Sequence, residues 1–186
     1  MVTGGYLRRM ASRYHFVTDM TLSSSPDAVE ATLEDVGTWS AWWRWARLAE
    51  QVNSLPPGAV GARFRHRIRT PLAYGLSYVI EVVRTQPGLI EVSVSGDLEG
   101  TGLFTYETTR SGETALSFSW KVQTTKWWMN AARPLAGSVF AWTHDVLMTD
   151  FVEGLAQASG GTVVSVAHRR LRPGDPDFDR TRRRSV

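Results

Sequence analysis

Polar and apolar positions alternate with a period of two through the middle of this chain. The strictest case is Gly61–Arg69, where Arg63, Arg65, Arg67 and Arg69 fall on one face and Phe64, His66 and Ile68 on the other. Successive strand side chains point to opposite faces, so this run predicts a strand with one basic face and one mostly apolar face. Residues 14–22, 74–84, 89–95, 98–108 and 114–124 also read as strands. Their inward faces place Leu76, Tyr78, Ile80, Ile90, Val92, Phe104, Tyr106, Phe118 and Trp120 toward a common interior, together with Gly100 and Gly102. Turn-forming runs separate them: Pro56-Pro57-Gly58, Thr70-Pro71, Pro87-Gly88 and Ser111-Gly112.

Two regions follow the helical period instead. Ser25-Pro26-Asp27 is a helix start, with a capping serine, a proline suited to the first position and an acid at the positive end of the dipole. Val29, Leu33 and Val36 continue it at helical spacing, so a short helix is expected over 26–35, with a second helical turn at 38–43. Residues 127–159 form a long helical stretch that Pro134 should kink or restart. It carries two apolar stripes, Val139/Trp142/Val146/Thr149 and Phe140/Leu147/Phe151, with His144 inside the second; two stripes imply burial over a wide arc.

The order is strand, two short helices, five or six consecutive strands, then one long helix. Consecutive strands joined by short turns imply an antiparallel meander. The expected class is α+β: a curved antiparallel sheet wrapped around a long C-terminal helix, over residues 13–160. Residues 161–186 change to an Arg-, Asp- and Pro-rich composition and read as a basic extension, partly disordered.

Composition sharpens this picture. A chain of 186 residues without cysteine holds one domain, with no disulfide and no thiolate metal site. Eight tryptophans demand a bulky core or a lined cavity. The formal charge of +3 is concentrated: residues 168–186 hold seven arginines against three aspartates, and the rest of the chain is close to neutral. That argues against nucleic-acid binding by the folded domain. No signal-like h-region and no membrane-length apolar run occur, so a cytoplasmic protein without a membrane span is expected.

Several local strings resemble the START-like (SRPBCC, polyketide cyclase/dehydrase) superfamily. They are Ser25-Pro26-Asp27-Ala28-Val29, Trp39-Ser40-Ala41-Trp42-Trp43, Val60-Gly61-Ala62-Arg63, and Gly96-Asp97-Leu98-Glu99-Gly100-Thr101-Gly102. In the long helix, Phe140, Trp142, His144-Asp145 and Met148, with Gly154-Leu155-Ala156, are similar to bacterial members. The resemblance covers about residues 13–158 and implies the helix-grip fold. The superfamily includes ligand carriers and aromatase/cyclases, so it leaves function open.

The expected function is binding of a small, mostly apolar, lipid- or polyketide-like ligand between sheet and helix. The candidate lining is Trp39, Trp42, Trp43, Phe64, His66, Tyr78, Ile80, Val92, Gly100, Gly102, Phe104, Phe118, Trp120, Trp142 and His144. The tryptophans at 39, 42 and 43 serve equally as an aromatic wall or as core packing. Gly100 and Gly102 either open volume for a ligand or let the sheet bend. The alternative is a cyclase/aromatase-type enzyme using His66, Tyr78 or His144 as proton donors and acceptors. Asp97 and Glu99 are weaker acid–base candidates and read as solvent-facing. The arginine stripe is either a solvated face with ion pairs or the footprint of an anionic partner. Four histidines without paired spacing suggest no metal site, and nothing calls for a cofactor. A homodimer stays open.

Overall fold

The computed structural model describes residues 13–126, 133–172, 175, 176 and 178, with backbone only for 133–137. After β1 (Arg13–Leu22), Ser25 caps α1 (Pro26–Glu34), its hydroxyl accepting the Ala28 N–H, and Val29 and Leu33 are buried. A 3-10 turn at Val36–Thr38 leads into α2 (Trp39–Trp42). Strands β2 (Ala46–Gln51), β3 (Arg63–Arg69), β4 (Gly75–Gln86), β5 (Leu89–Gly96), β6 (Leu98–Thr108) and β7 (Thr114–Thr124) follow as an antiparallel meander. The long helix α3 (Arg133–Ala158) and a last strand, β8 (Val163–Leu171), complete the chain order. The sheet order is β2-β3-β4-β5-β6-β7-β1-β8. The sheet curves around α3, and no helix among the described residues is long and apolar enough to cross a membrane.

Two strands lie where the sequence pattern hid them. Ala46-Arg-Leu-Ala-Glu-Gln is rich in helix-favouring residues and does not alternate, because a register shift between Ala46 and Leu48 interrupts its pairing with β3. Strand β8 lies beyond residue 160, where the sequence reading ended the domain, and it extends the same sheet by pairing with β1 from His15↔Leu171 to Leu22↔Val163. It is an edge strand with little burial, so it shows no clean two-residue pattern. It is nonetheless anchored: Asp19 accepts two hydrogen bonds from the Arg169 guanidinium (3.0 and 2.7 Å), and His168 lies 3.1 Å from both Thr18 Oγ1 and Thr149 Oγ1. Phe178 is buried against β1 and β7, its carbonyl accepting from His15 Nδ1 (3.1 Å) and Lys121 Nζ (3.0 Å). The Arg180–Arg184 run lies outside the described residues.

The helix meets the sheet through Met148, Phe151, Val152, Leu155 and Ala156, all buried. Pro134 falls in the first described turn, where a missing N–H costs no bond; residues 127–132, expected to begin the helix, lie outside the described residues. The stripe expected at Val139 and Trp142 faces out instead, at 41% and 51% exposure. One helix against a concave sheet can bury only one side here, and the side carrying Phe140, Leu147 and Phe151 takes it. Gly154 is a packing point: a Cβ there would sit 2.6 Å from the Trp42 carbonyl oxygen, so only glycine lets α2 cross so closely.

Candidate functional site

Between the concave face and α3 lies a cavity of about 140 Å³. One water needs about 10–15 Å³ of such space, so the void exceeds ordinary packing defects several-fold. Its walls come from most of the elements described above. β3 and β4 supply His66 and Tyr78 with Ile80; β5 supplies Val92; β6 and β7 supply Phe104, Phe118 and Trp120. Helix α3 closes it with Phe140, His144, Leu147 and Phe151.

Trp39 and Trp43 form the wall on the α2 side, and their polar edges are already engaged. Trp39 Nε1 donates to the Thr32 carbonyl (3.3 Å) and Trp43 Nε1 to the Leu147 carbonyl (3.1 Å). Both rings meet Phe151 nearly edge to face, with centroids 5.2 and 5.1 Å away. Each indole is therefore fixed in orientation by one hydrogen bond and aromatic contacts.

Five expected lining residues are elsewhere. Trp42 packs against Phe151 (5.3 Å) and over Gly154 without reaching the cavity. Phe64 is fully buried but does not line it. Trp142 faces outward for the reason given above. At Gly102 a Cβ would come within 2.9 Å of the Trp120 ring, so the space is filled by tryptophan rather than left open. At Gly100 a Cβ would collide with the backbone of β7, and φ is +153°, so this glycine serves the close approach and bend of the sheet.

The sequence reading missed Tyr14 and Phe16 of β1, along with Tyr74, Phe140 and Leu147. Phe140 meets Tyr14 (5.4 Å) and Tyr74 (6.3 Å) edge to face, joining the two sides of the sheet's opening. Applying the inward-face count to β1, as to the later strands, would have found Tyr14 and Phe16.

The polar groups are few and distinctive. His66 is 1% exposed, stacks on Tyr78 (5.5 Å, 9° between planes) and meets Trp39 edge-on (5.4 Å). Among the described residues, neither ring nitrogen has a hydrogen-bond partner. Burial lowers its pKa from 6.5 to about 4, so it is neutral at pH 7. Burial also raises the pKa of Tyr78, which stays a phenol. His144 stacks on Phe16 (4.2 Å, 18°), and among the described residues neither of its nitrogens has a hydrogen-bond partner. Asp145 Oδ1 is 3.7 Å from its Nδ1, beyond hydrogen-bond reach. Burial lowers the His144 pKa, opposed by Asp145. The two histidines thus sit in separate aromatic nests, one with β3 and β4, the other with β1. Asp97 and Glu99 are engaged away from the cavity: Asp97 accepts the Ser77 N–H and pairs with Lys126, and Glu99 accepts from Gln123.

Solved structures share this architecture. A conserved protein from Geobacillus kaustophilus aligns with TM-score 0.66 at 13% identity, over 83% of this chain and 99% of that one. A START superfamily protein from Mycobacterium smegmatis aligns with TM-score 0.62 at 11% identity, over 77% and 95%. The Zhui aromatase/cyclase from Streptomyces sp. R1128 aligns with TM-score 0.65 at 11% identity, over 80% and 94%. The fold is the START-like helix grip. No family model and no curated protein matches the chain in sequence. At these identities the START-like neighbours establish the architecture, and the cavity's own chemistry must carry any functional reading.

Proposed function

We propose that the protein binds a small, mostly apolar, lipid- or polyketide-like ligand in the cavity, and that the ligand carries a group able to hydrogen-bond His66. The observation that carries this reading is a neutral histidine, buried in a cavity wall, with neither nitrogen hydrogen-bonded among the described residues. A buried polar group left without a partner costs about 1–3 kcal/mol, and native proteins rarely tolerate it without reason. A ligand oxygen or N–H would remove that cost. Burying on the order of 300 Å² of apolar ligand surface adds roughly 7 kcal/mol before ordering costs, so micromolar binding needs few polar contacts.

A second reading, a cyclase-type enzyme, draws on the Tyr78–His66 stack and on the likeness to an aromatase/cyclase. Its weakness is proton affinity. A histidine with a pKa of about 4 is a weak base at pH 7, and a phenol pushed upward is a weak acid. Binding asks only that both stay neutral.

Titration with an environment-sensitive naphthalene dye tests the proposal. Saturable fluorescence enhancement is expected, lost in Ile80→Trp and Leu147→Trp variants that retain the wild-type circular dichroism and melting transition. Unchanged enhancement in both folded variants would place the dye elsewhere and remove the support for a cavity ligand.

A further inference from the structure

The arginine stripe of β3 plays no part in the cavity, and its two halves differ. Arg63 pairs with Glu81 (3.5 Å) and Arg65 with Glu50 (2.8 Å). Arg67 and Arg69 have no such partner among the described residues, and neither does Arg47, exposed on β2 at the bulge opposite Arg67 and Ile68. Three unpaired guanidinium groups therefore cluster at one end of the β2–β3 edge.

That end is also an end of the cavity. Arg69 runs directly into the loop at 70–74, whose Thr70 and Tyr74 line the void. The loop is a tight, hydrogen-bonded turn: Thr70 N–H and Oγ1–H both donate to the Tyr74 carbonyl (3.0 and 3.1 Å), and Ala73 N–H donates to the Thr70 carbonyl (2.9 Å). Ala73 holds φ +64°, a conformation that costs a residue with a side chain. This turn presents Leu72 at its tip with 47% exposure. Across the Tyr74–Phe140 contact, the neighbouring turn of α3 exposes Val139 and Trp142.

We propose that this end of the molecule docks on an anionic phospholipid bilayer, with Arg47, Arg67 and Arg69 at the headgroups and Leu72 dipping below them. A row of arginines alone would suit any polyanion. The fixed apolar tip beside it favours a surface whose charge overlies hydrocarbon, since apolar side chains bury into the headgroup boundary while basic ones meet anionic lipid. The tip belongs to the loop that walls the cavity, so docking would bring the cavity against the phase in which an apolar ligand dissolves. That last connection rests on the ligand-binding reading; the docking itself does not.

Sedimentation of the full chain with vesicles separates the two. The vesicles are phosphatidylcholine alone, or phosphatidylcholine with about 30% phosphatidylserine to match an anionic leaflet. Binding is expected only to the anionic vesicles, weakening as salt rises. Each basic residue near such a surface is worth roughly fivefold, so R47Q/R67Q/R69Q lowers partitioning on the order of 100-fold. L72S lowers it about tenfold through lost apolar burial. The ion-paired half is the internal control: removing whole pairs, R63Q with E81Q and R65Q with E50Q, leaves the local net charge unchanged and changes binding by less than about threefold. R182Q/R183Q/R184Q leaves binding in place.

Failure to bind anionic vesicles overturns the proposal, as does binding that disappears with Arg182–Arg184 but survives R47Q/R67Q/R69Q. Binding that needs the three sheet arginines but ignores L72S marks a site for an acidic protein or nucleic acid and also overturns the bilayer assignment. The readout requires no cavity ligand, so a negative dye titration leaves it standing, and a negative vesicle result leaves the cavity reading standing.

Discussion

His15 and His66 are the same residue in the same sheet at the same burial, 1% exposed each, and they are treated in opposite ways. His15 sits on the outer face of β1. Its Nδ1 donates to the Phe178 carbonyl (3.1 Å) and its Nε2 accepts from Ser119 Oγ (2.8 Å), and the Phe178 ring packs against it at 5.5 Å. Every polar requirement of that ring is met from within the chain. His66 sits on the inner face of β3 beside the cavity, packed against Trp39 and Tyr78, and among the described residues neither ring nitrogen has a hydrogen-bond partner. The chain has the means to satisfy a buried histidine and does so on one face. On the other it leaves one unsatisfied, beside empty space. Polar accounting therefore separates a histidine satisfied within the fold from one that, under the proposed function, takes its partner from a ligand.

The comparison can be broken first by pH. His66 has a folded-state pKa of about 4, below its ordinary 6.5. As pH falls, the unfolded chain takes up the proton before the folded chain does. Stability is thus fully present above about pH 6.5, drains as pH falls toward 4, and levels off below. The shift corresponds to about 3 kcal/mol. His144 contributes with the same sign. Urea melts across this range should show the loss in the wild type, and His66→Phe should remove about 3 kcal/mol of it. Parallel curves for the two proteins would mean His66 is not held neutral by burial.

The next largest effect belongs to His15. Replacing it with alanine strands the Ser119 hydroxyl, leaves the Phe178 carbonyl with Lys121 as its remaining donor and opens a void, which should cost about 2 kcal/mol at pH 7. The smallest has the opposite sign. His66→Phe at pH 7 exchanges an unsatisfied ring for an apolar one of similar shape and should stabilise the unliganded protein by about 1 kcal/mol. Thermal or urea midpoints check both. Destabilisation by both substitutions would erase the distinction between the two histidines.

Most of the fold was legible because its strands alternate and its turns are punctuated. The burial of β3, where Phe64, His66 and Ile68 are covered and all four arginines exposed, follows the two-residue period without exception. Strands β2 and β8 were illegible for a common reason: each lies at a sheet edge, where one row of neighbours is missing and burial no longer imposes a pattern. The helix showed two apolar stripes, and composition could not say which one the sheet would cover; Trp142 and Phe140 are equally apolar, and only tertiary packing distinguishes them. The site was partly legible, since inward-facing aromatics necessarily surround whatever space remains. What the sequence could not reveal was the difference between volume left open and volume filled by a neighbour. Gly102 could be read as room for a ligand or as a bend in the sheet, and a Cβ there would meet the Trp120 ring. Nor could it show that His15 would find two partners and His66 none, because those partners lie 104 and 163 residues away in the chain.

The central claim is that the cavity with its unsatisfied His66 is a binding site. Native mass spectrometry of freshly purified protein tests it most directly, with wild type, Ile80→Trp and Leu147→Trp measured side by side. The expected result is a wild-type population carrying a small, apolar, hydrogen-bonding molecule, absent from both cavity-filled variants. A wild-type spectrum free of adduct, together with dye enhancement that neither folded variant diminishes, would contradict the account.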